Sequence, residues 1–170
     1  MKLPASLLSL TAVFLLLTSC QELNDDRIPL FAVNIDLSNQ GLWTSYGVAN
    51  YGQYNYFILE DRLPPGFNYI YNSATGYGGI LLINGFDPVL GDQGPLAYDM
   101  SCPVERQRNI RVWIVPDSET YEVECQECHS RYNVVEGIGA PLSEPALSLK
   151  YGLRKYRCLP TINGGYFITQ

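Results

Sequence analysis

Two cysteines and a histidine occur in a spacing that can hold a haem or a metal. The segment Cys125-Gln126-Glu127-Cys128-His129 has the pattern C-x-x-C-H, which attaches haem in c-type cytochromes. The same thiol pair can also serve zinc, a disulfide or an iron–sulfur cluster. The other cysteines are Cys20, Cys102 and Cys158, and His129 is the only histidine. The local pattern does not choose among these chemistries.

The chain around this segment favours some of these chemistries over others. Cytochrome c domains enclose their haem in helices, whereas the residues on both sides of the segment have strand character. A distal haem ligand would have to be Met100, because no second histidine exists. A tetrahedral zinc site would take Cys102, Cys125 and Cys128 with Cys158 or His129. In an exported protein, the simplest alternative is a set of disulfides, and the four cysteines that follow Cys20 allow three pairings.

The N-terminal residues indicate export and lipid attachment. Lys2 precedes an apolar run, Leu7–Leu17, which is too short to span a bilayer and is typical of a removed export signal. The run closes on Leu-Thr-Ser-Cys, which resembles the lipobox of bacterial lipoproteins. The resemblance implies cleavage after residue 19, lipid on Cys20 and a polar tether over residues 20–29. The protein would then lie in the cell envelope, at an unspecified face of the outer membrane. An ordinary signal peptide, with Cys20 unmodified, is the alternative.

Charge and composition exclude some functions. The formal net charge is −6 and no basic cluster occurs, which argues against a nucleic-acid partner. No second apolar run reaches membrane-spanning length, so the predicted membrane contact is the lipid on Cys20. No catalytic residues are predicted, because His129 has no recognisable nucleophile partner in the sequence.

Turn signals and strand-forming residues predict an all-β fold of antiparallel sheets. Turn residues recur at about eight to twelve residues, as at Asn84-Gly85, Gly91-Asp92 and Asn163-Gly164-Gly165. No stretch after the signal has a helical period, so helix should be scarce. Without an internal repeat or linker, residues 30–170 are predicted to form one domain. The predicted strands are Leu30–Asp36, Asn55–Leu59, Gly79–Ile83, Leu96–Met100, Arg111–Val115, Thr120–Glu124, Leu153–Cys158 and Tyr166–Thr169.

Over about residues 79 to 170, the chain presents Ala97-Tyr98-Asp99 and Cys102, then Cys125, Ser130 and Tyr132, and then a tail from Gly137 to Tyr156. This order of motifs resembles the Rieske family of iron–sulfur proteins. In that family A-x-D leads to C-x-H, a hairpin follows, and a second loop reads C-x-x-H-G-S-x-F before a tail G…GPA…L…Y. The resemblance implies antiparallel sheets and two cysteine-bearing loops that close over a [2Fe–2S] cluster. Ala97-Tyr98-Asp99 and Cys102 match the first loop. The second loop and the tail are matched by Cys125, Ser130, Tyr132, Gly137, Pro145, Ala146, Leu153 and Tyr156.

The departures from the family fall on the cluster ligands. Cys102 and Cys125 match its cysteines, but Val104 and Cys128 stand where its two histidines belong. His129 follows one residue later, at the usual glycine position, and Glu144 replaces the glycine of GPA. Valine has no donor atom, so an intact histidine-ligated cluster is not expected.

Three states of the site remain open. A cluster could persist on Cys102, Cys125 and Cys128, with Glu105, His129 or Cys158 as a substitute fourth ligand. The site could instead be empty, with two of its thiols joined in a disulfide that staples the loops. Zinc in the same pocket is the third state. The disulfide or empty site is preferred over any metal, because one ligand position is apolar.

The expected function follows from this preference. The chain is predicted to be an exported, lipid-anchored Rieske-like domain that acts as a structural or partner-binding module. The alternative is a [2Fe–2S] electron-transfer protein with a substituted ligand set and a redox partner.

Overall fold

The chain folds into two antiparallel sheets. In the computed structural model, which describes residues 22–88, 91–116, 120–136 and 138–170, ten strands and two short helices occur. The predicted export signal, Cys20 and Gly137 lie outside these residues. In chain order the elements are β1 (Val33–Asn39), α1 (Gln40–Tyr46), β2 (Tyr54–Phe57), β3 (Ala74–Thr75), β4 (Ile80–Asp87), β5 (Asp92–Asp99), β6 (Val112–Ile114), β7 (Glu122–Cys125), β8 (Arg131–Asn133), α2 (Ala146–Leu149), β9 (Lys155–Pro160) and β10 (Gly164–Thr169).

The larger sheet curls into a nearly closed barrel. Its seven strands are ordered β2-β4-β5-β9-β10-β1-β3, and its two edges approach each other where Leu59 N–H donates to Thr75 Oγ1 at 3.4 Å. The smaller sheet has the order β6-β7-β8. All named pairings in both sheets are antiparallel, which confirms the predicted all-β class.

Strand β4 is buried on both faces, which explains its unbroken apolar run. Because successive side chains on a strand point to opposite faces, Ile80 and Leu82 join one apolar cluster with strands β1 and β10. Leu81 and Ile83 join a second cluster that contains residues of the small sheet. This second cluster also contains Cys102 and Cys125. The apolar core itself therefore positions the cysteines.

Each of the eight predicted strands overlaps an observed strand, whereas β3 and β8 were not predicted. The hairpins at Gly91 and Gly164 are confirmed, and both glycines have positive φ. The predicted turn at Asn84-Gly85 is wrong, because these residues lie inside β4. A Cβ on Gly85 would lie 2.6 Å from the carbonyl oxygen of Val135. The glycine is therefore used for close backbone approach within a strand.

Helix is scarce, as predicted. Helix α1 begins at an N-cap, Asn39, whose side-chain oxygen accepts from Leu42 N–H at 2.8 Å. Helix α2 is a four-residue turn that starts at Ala146. Among the described residues, no helix combines the length and apolar character needed to cross a bilayer.

The N-terminal segment is docked on the domain from Asn24 onward. Asn24 forms a parallel bridge with Tyr151, and its N–H donates to the carbonyl of Lys150 at 2.8 Å. Three residues later the Arg27 guanidinium lies 4.3 Å from the ring centroid of Tyr151. The carbonyl of Arg27 accepts from Arg106 Nε at 3.1 Å. The N-terminal segment therefore touches the loop that follows Cys102.

Candidate metal centre

Two loops carry the three cysteines of the candidate site. The first cysteine loop, residues 101–110, lies between β5 and β6, and the second cysteine loop, residues 125–130, runs from the last residue of β7 to the start of β8. Cys102 N–H donates to the carbonyl of Ile110 at 2.9 Å, which closes the base of the first loop. Val112 on β6 pairs with Cys125 on β7. The β6–β7 pairing therefore places the two loops side by side.

The sulfur atoms of Cys102, Cys125 and Cys128 converge. All three Sγ atoms lie within 4.8 Å of one another, and Cys102 Sγ is 3.5 Å from Cys128 Sγ. Cys102 and Cys125 are fully buried, whereas Cys128 is partly exposed. The structure thus brings together the three cysteines that the sequence assigned to one site.

The two loops repeat the same backbone geometry. The N–H groups of Val104 and Glu105 bond to the sulfur of Cys102, and those two and three residues after Cys125 bond to its sulfur. Arg106 N–H donates to the carbonyl of Cys102 at 2.9 Å, and His129 N–H donates to the carbonyl of Cys125 at the same distance. Arg106 and His129 both have positive φ, 54° and 57°. Two cysteine sulfurs thus each accept two backbone N–H bonds, an arrangement that stabilises thiolate over thiol.

The pKa values of the two buried thiols, Cys102 and Cys125, are shifted in opposite directions. A hydrogen bond from Cys102, together with backbone N–H groups, lowers the pKa of Cys125 to about 6. The same hydrogen bond, followed by burial, raises the pKa of Cys102. Cys125 is therefore the more readily ionised of the two thiols, and the thiolate is the form that binds metal.

Two polar residues, Ser130 and Tyr132, contact the thiols. Ser130 Oγ lies 3.3 Å from Cys128 Sγ and accepts from Ala146 N–H at 3.2 Å. Tyr132 OH lies 3.8 Å from Cys102 Sγ, and burial raises the pKa of this hydroxyl. Both residues are fully buried. They are the positions that the sequence resemblance assigned to the second loop.

Asp99 supports the first cysteine loop from beneath. This buried carboxylate accepts from Ser101 N–H at 2.8 Å, from Tyr77 N–H at 2.8 Å and from Tyr156 OH at 2.6 Å. Burial raises the pKa of Asp99, and its hydrogen bonds oppose the rise. A Cβ on Gly78, which also donates to Asp99, would lie 2.5 Å from Ser101 N. The start of the first cysteine loop is therefore held by the hydrogen bonds to Asp99 and is closely packed against Gly78.

Two of the proposed fourth ligands are not brought to the site. Cys158 lies on β9, opposite Ile168 of β10, and packs against the other apolar cluster. Cys158 is not among the sulfur atoms that meet at the site, and the register of β9 with β10 places it against the other apolar cluster. The His129 side chain is 73% exposed, and its Nδ1 lies 3.0 Å from Glu124 Oε1. The predicted role of His129 as a ligand is not supported by this position.

The other residues of the first loop fall close to the thiols. Val104 is partly buried and packs against the apolar cluster, so it offers no donor atom. Glu105 is also partly buried, but its carboxylate oxygens lie outside the group of sulfur atoms. Of the matched tail positions, Ala146 and Leu153 are fully buried in the same cluster.

A histidine-ligated two-iron cluster does not fit these residues. One iron would find Cys102 and Cys125, but the other would face Val104 and Cys128 instead of two histidines. A haem fits no better, because Met100 is buried in the core and the C-x-x-C-H segment forms a tight turn between β7 and β8.

The sulfur geometry fits a single ion. With a metal–sulfur bond of about 2.3 Å, two thiolates on a tetrahedral ion lie about 3.8 Å apart, whereas a disulfide places its sulfurs about 2.0 Å apart. The observed 3.5 Å between Cys102 and Cys128 is the separation of two thiols in hydrogen-bond contact, so only a small shift would bring them to the first value. The four cysteines of the described residues are free thiols, which differs from the disulfide, one of the two metal-free states that the sequence led us to prefer.

Comparison with known proteins gave no relative. No protein family, no curated protein and no solved structure matches this chain.

Proposed function

We propose that this chain is an exported, lipid-anchored β domain of Rieske-like architecture whose two cysteine loops bind one metal ion. Cys102, Cys125 and Cys128 are the thiolate ligands, and zinc is the ion that a thiolate-rich tetrahedral site without histidine favours. The ion has a structural role, since it ties the two loops together at one end of the small sheet. The observation that carries this proposal is the convergence of the three sulfurs within 4.8 Å.

The backbone geometry favours metal over a disulfide. Each sulfur of Cys102 and Cys125 accepts two N–H bonds, which suit a charged thiolate better than a neutral disulfide sulfur. A disulfide between two of the three thiols would also leave the third one unused. A single ion uses all three.

The ion would hold a surface that serves a partner. Leu147 and Leu149 are exposed on α2, and the first residue of this helix donates to Ser130 beside the thiols. Contiguous exposed apolar patches often mark protein-binding sites, and we assign such a role to these two side chains. The proposed role is therefore a structural, partner-binding module.

Electron transfer is the second candidate function. Its support is the set of N–H bonds to the sulfurs, because hydrogen bonds to ligand sulfurs and solvent exposure set the reduction potential of iron centres. Cys128 is partly exposed, which would give a redox partner access to the centre. Iron, alone or as a [2Fe–2S] cluster with a substituted fourth ligand, would then occupy the loops.

Lipid attachment at Cys20 places this module at the membrane. The support for it is the short apolar run and the Leu-Thr-Ser-Cys ending in the sequence. A single lipid-bearing residue would keep the domain in the envelope, at the outer membrane, without a spanning helix. Mass spectrometry of the membrane-extracted protein tests this part, and an unmodified Cys20 would contradict it.

Elemental analysis and thiol counting of the purified protein test the metal site. We expect one zinc per chain and three thiols that react only after a chelator is added. Iron with matching sulfide would favour electron transfer instead. A metal-free protein with a mass about two daltons below the reduced value would show a disulfide and overturn the metal site. A covalently attached haem, seen by its visible absorption, would overturn both functions.

A further inference from the structure

We infer that Glu105 supplies the fourth ligand, so that each cysteine loop gives one ion two ligands, three residues apart. This inference rests on the proposed metal site. It assigns Cys102 and Glu105 to the first loop, and Cys125 and Cys128 to the second. The complete site would then be three thiolates and one carboxylate, all of which are known zinc donors.

The register of the two loops makes Glu105 the counterpart of Cys128. Each residue lies three positions after a buried cysteine, and each donates its backbone N–H to that cysteine's sulfur. The next residue in each loop, Arg106 or His129, has positive φ and donates to the carbonyl of the cysteine. Cys128 Sγ reaches the other sulfurs from this position. Glu105 occupies the same backbone position in the first loop. Its side chain therefore starts from the loop position that lets Cys128 reach the other sulfurs.

Glu105 also lacks a competing partner. Among the described residues, no ion pair or side-chain hydrogen bond involves its carboxylate, although the residue is only partly exposed. The two acidic residues at the base of the second loop are both paired: Glu122 and Glu124 bind Arg131, at 3.7 Å and 2.8 Å. The Glu105 carboxylate is therefore not held elsewhere by a cation or a hydrogen-bond donor of the described residues.

Two other residues of the cysteine loops are poor candidates for the fourth ligand. Val104 is apolar, and His129 is exposed and bound to Glu124. The carboxylate oxygens of Glu105 lie outside the 4.8 Å group of sulfurs, so its side chain must rotate inward when the ion binds. Three rotatable bonds allow this movement without a change in the loop backbone.

Titration of the metal-free protein with Co²⁺ tests the inference, because Co²⁺ occupies tetrahedral thiolate sites and reports them by absorption. We expect Glu105→Gln to weaken Co²⁺ binding by at least about tenfold. The matched control is Glu127→Gln, an exposed glutamate in the second loop, which should bind Co²⁺ as the parent does. We expect Glu105→Cys to bind Co²⁺ with a sulfur-to-metal absorption about one third stronger, since four thiolates replace three.

The outcomes separate the inference from the metal site itself. If the parent binds Co²⁺ through its cysteines and Glu105→Gln binds it equally well, the fourth ligand is not Glu105 and the metal site stands. An unchanged sulfur-to-metal absorption in Glu105→Cys would overturn the inference in the same way. If the parent gives no sulfur-to-metal absorption, the metal site fails and the inference fails with it. Circular dichroism of each metal-free variant checks that the fold is intact.

Discussion

The sulfur atoms of Cys102 and Cys128 lie 3.5 Å apart although the residues are 26 positions apart in the sequence. Their contact depends on the β6–β7 pairing, in which Val112 lies opposite Cys125. A long-range contact of this kind closes a large loop, and any bond or shared ligand that fixes it restricts the unfolded chain more than the folded one. The stability of the domain should therefore depend on these thiols.

We expect Cys102→Ser and Cys125→Ser each to lower the free energy of unfolding by at least about 3 kcal/mol, because each would remove a proposed metal ligand and leave a hydroxyl in a buried site. Chemical denaturation of the purified variants measures the loss. His129→Ala should change little, since its ring is exposed. Cys158→Ala is the matched control outside the site and should keep the metal. Equal stability of both serine variants and the parent would show that the loops are not tied through these thiols.

We expect Asp99→Asn to lower the free energy of unfolding by about 2–3 kcal/mol, because its amide group would face N–H donors that now find an acceptor. The carboxylate accepts from Tyr77, Ser101 and Tyr156, and it is fully buried. Urea denaturation measures the change. Asp92→Asn serves as the control, since Asp92 is exposed. A similar effect of both substitutions would contradict the role given to the buried network.

We expect Gly78→Ala to destabilise the protein by about 1–3 kcal/mol through overpacking at the start of the first cysteine loop. The added Cβ would lie 2.5 Å from Ser101 N, which is backbone and cannot swing aside. Gly94→Ala is the control, since a Cβ there meets no heavy atom within 4 Å. Thermal melting of both variants provides the measurement, and a melting temperature for Gly78→Ala equal to that of the control would refute the steric argument.

The metal-free protein should become more stable as the pH rises from about 6 to about 9. The pKa of Cys125 is lowered from 9.0 to about 6 by the hydrogen bond from Cys102 and by backbone N–H groups. Between pH 6 and pH 9 the unfolded chain binds more protons than the folded chain. The stabilisation that Cys125 contributes is therefore fully present above its unfolded pKa of 9.0, and it is lost as the pH falls through about 6. Denaturation of chelator-treated protein across this window measures the slope. Cys125→Ser should lack this pH dependence. If the stability of the parent and of Cys125→Ser rises equally with pH, the Cys125 thiolate is not its cause.

Much of the fold was predictable because strand residues and turn residues alternate regularly. The unpredicted strands, β3 and β8, have two and three residues, too few to show a period. The Asn84-Gly85 pair has the composition of a hairpin turn, yet it is held inside β4 by pairing with Pro95 and Gly94. Its glycine serves the close approach of Val135, a tertiary contact that no local pattern contains.

The site was predictable in part. The sequence placed Cys102, Cys125 and Cys128 in one site on two loops, and their sulfur atoms do lie together. It could not exclude Cys158, because the position of that thiol depends on the register of β9 with β10. Nor could it show the backbone N–H bonds to the sulfurs, since these depend on loop dihedral angles that the residue types do not specify.

The docking of Asn24 beside Tyr151 limits how far the domain can move from an anchor. A lipid on Cys20, as proposed, would be joined to Asn24 by four residue steps, or at most about 14 Å of extended chain. So short a linker would prevent the domain from tumbling freely above the bilayer. Arg106 of the first cysteine loop contacts the carbonyl of Arg27, three residues after Asn24, so this loop would be kept close to the lipid headgroups.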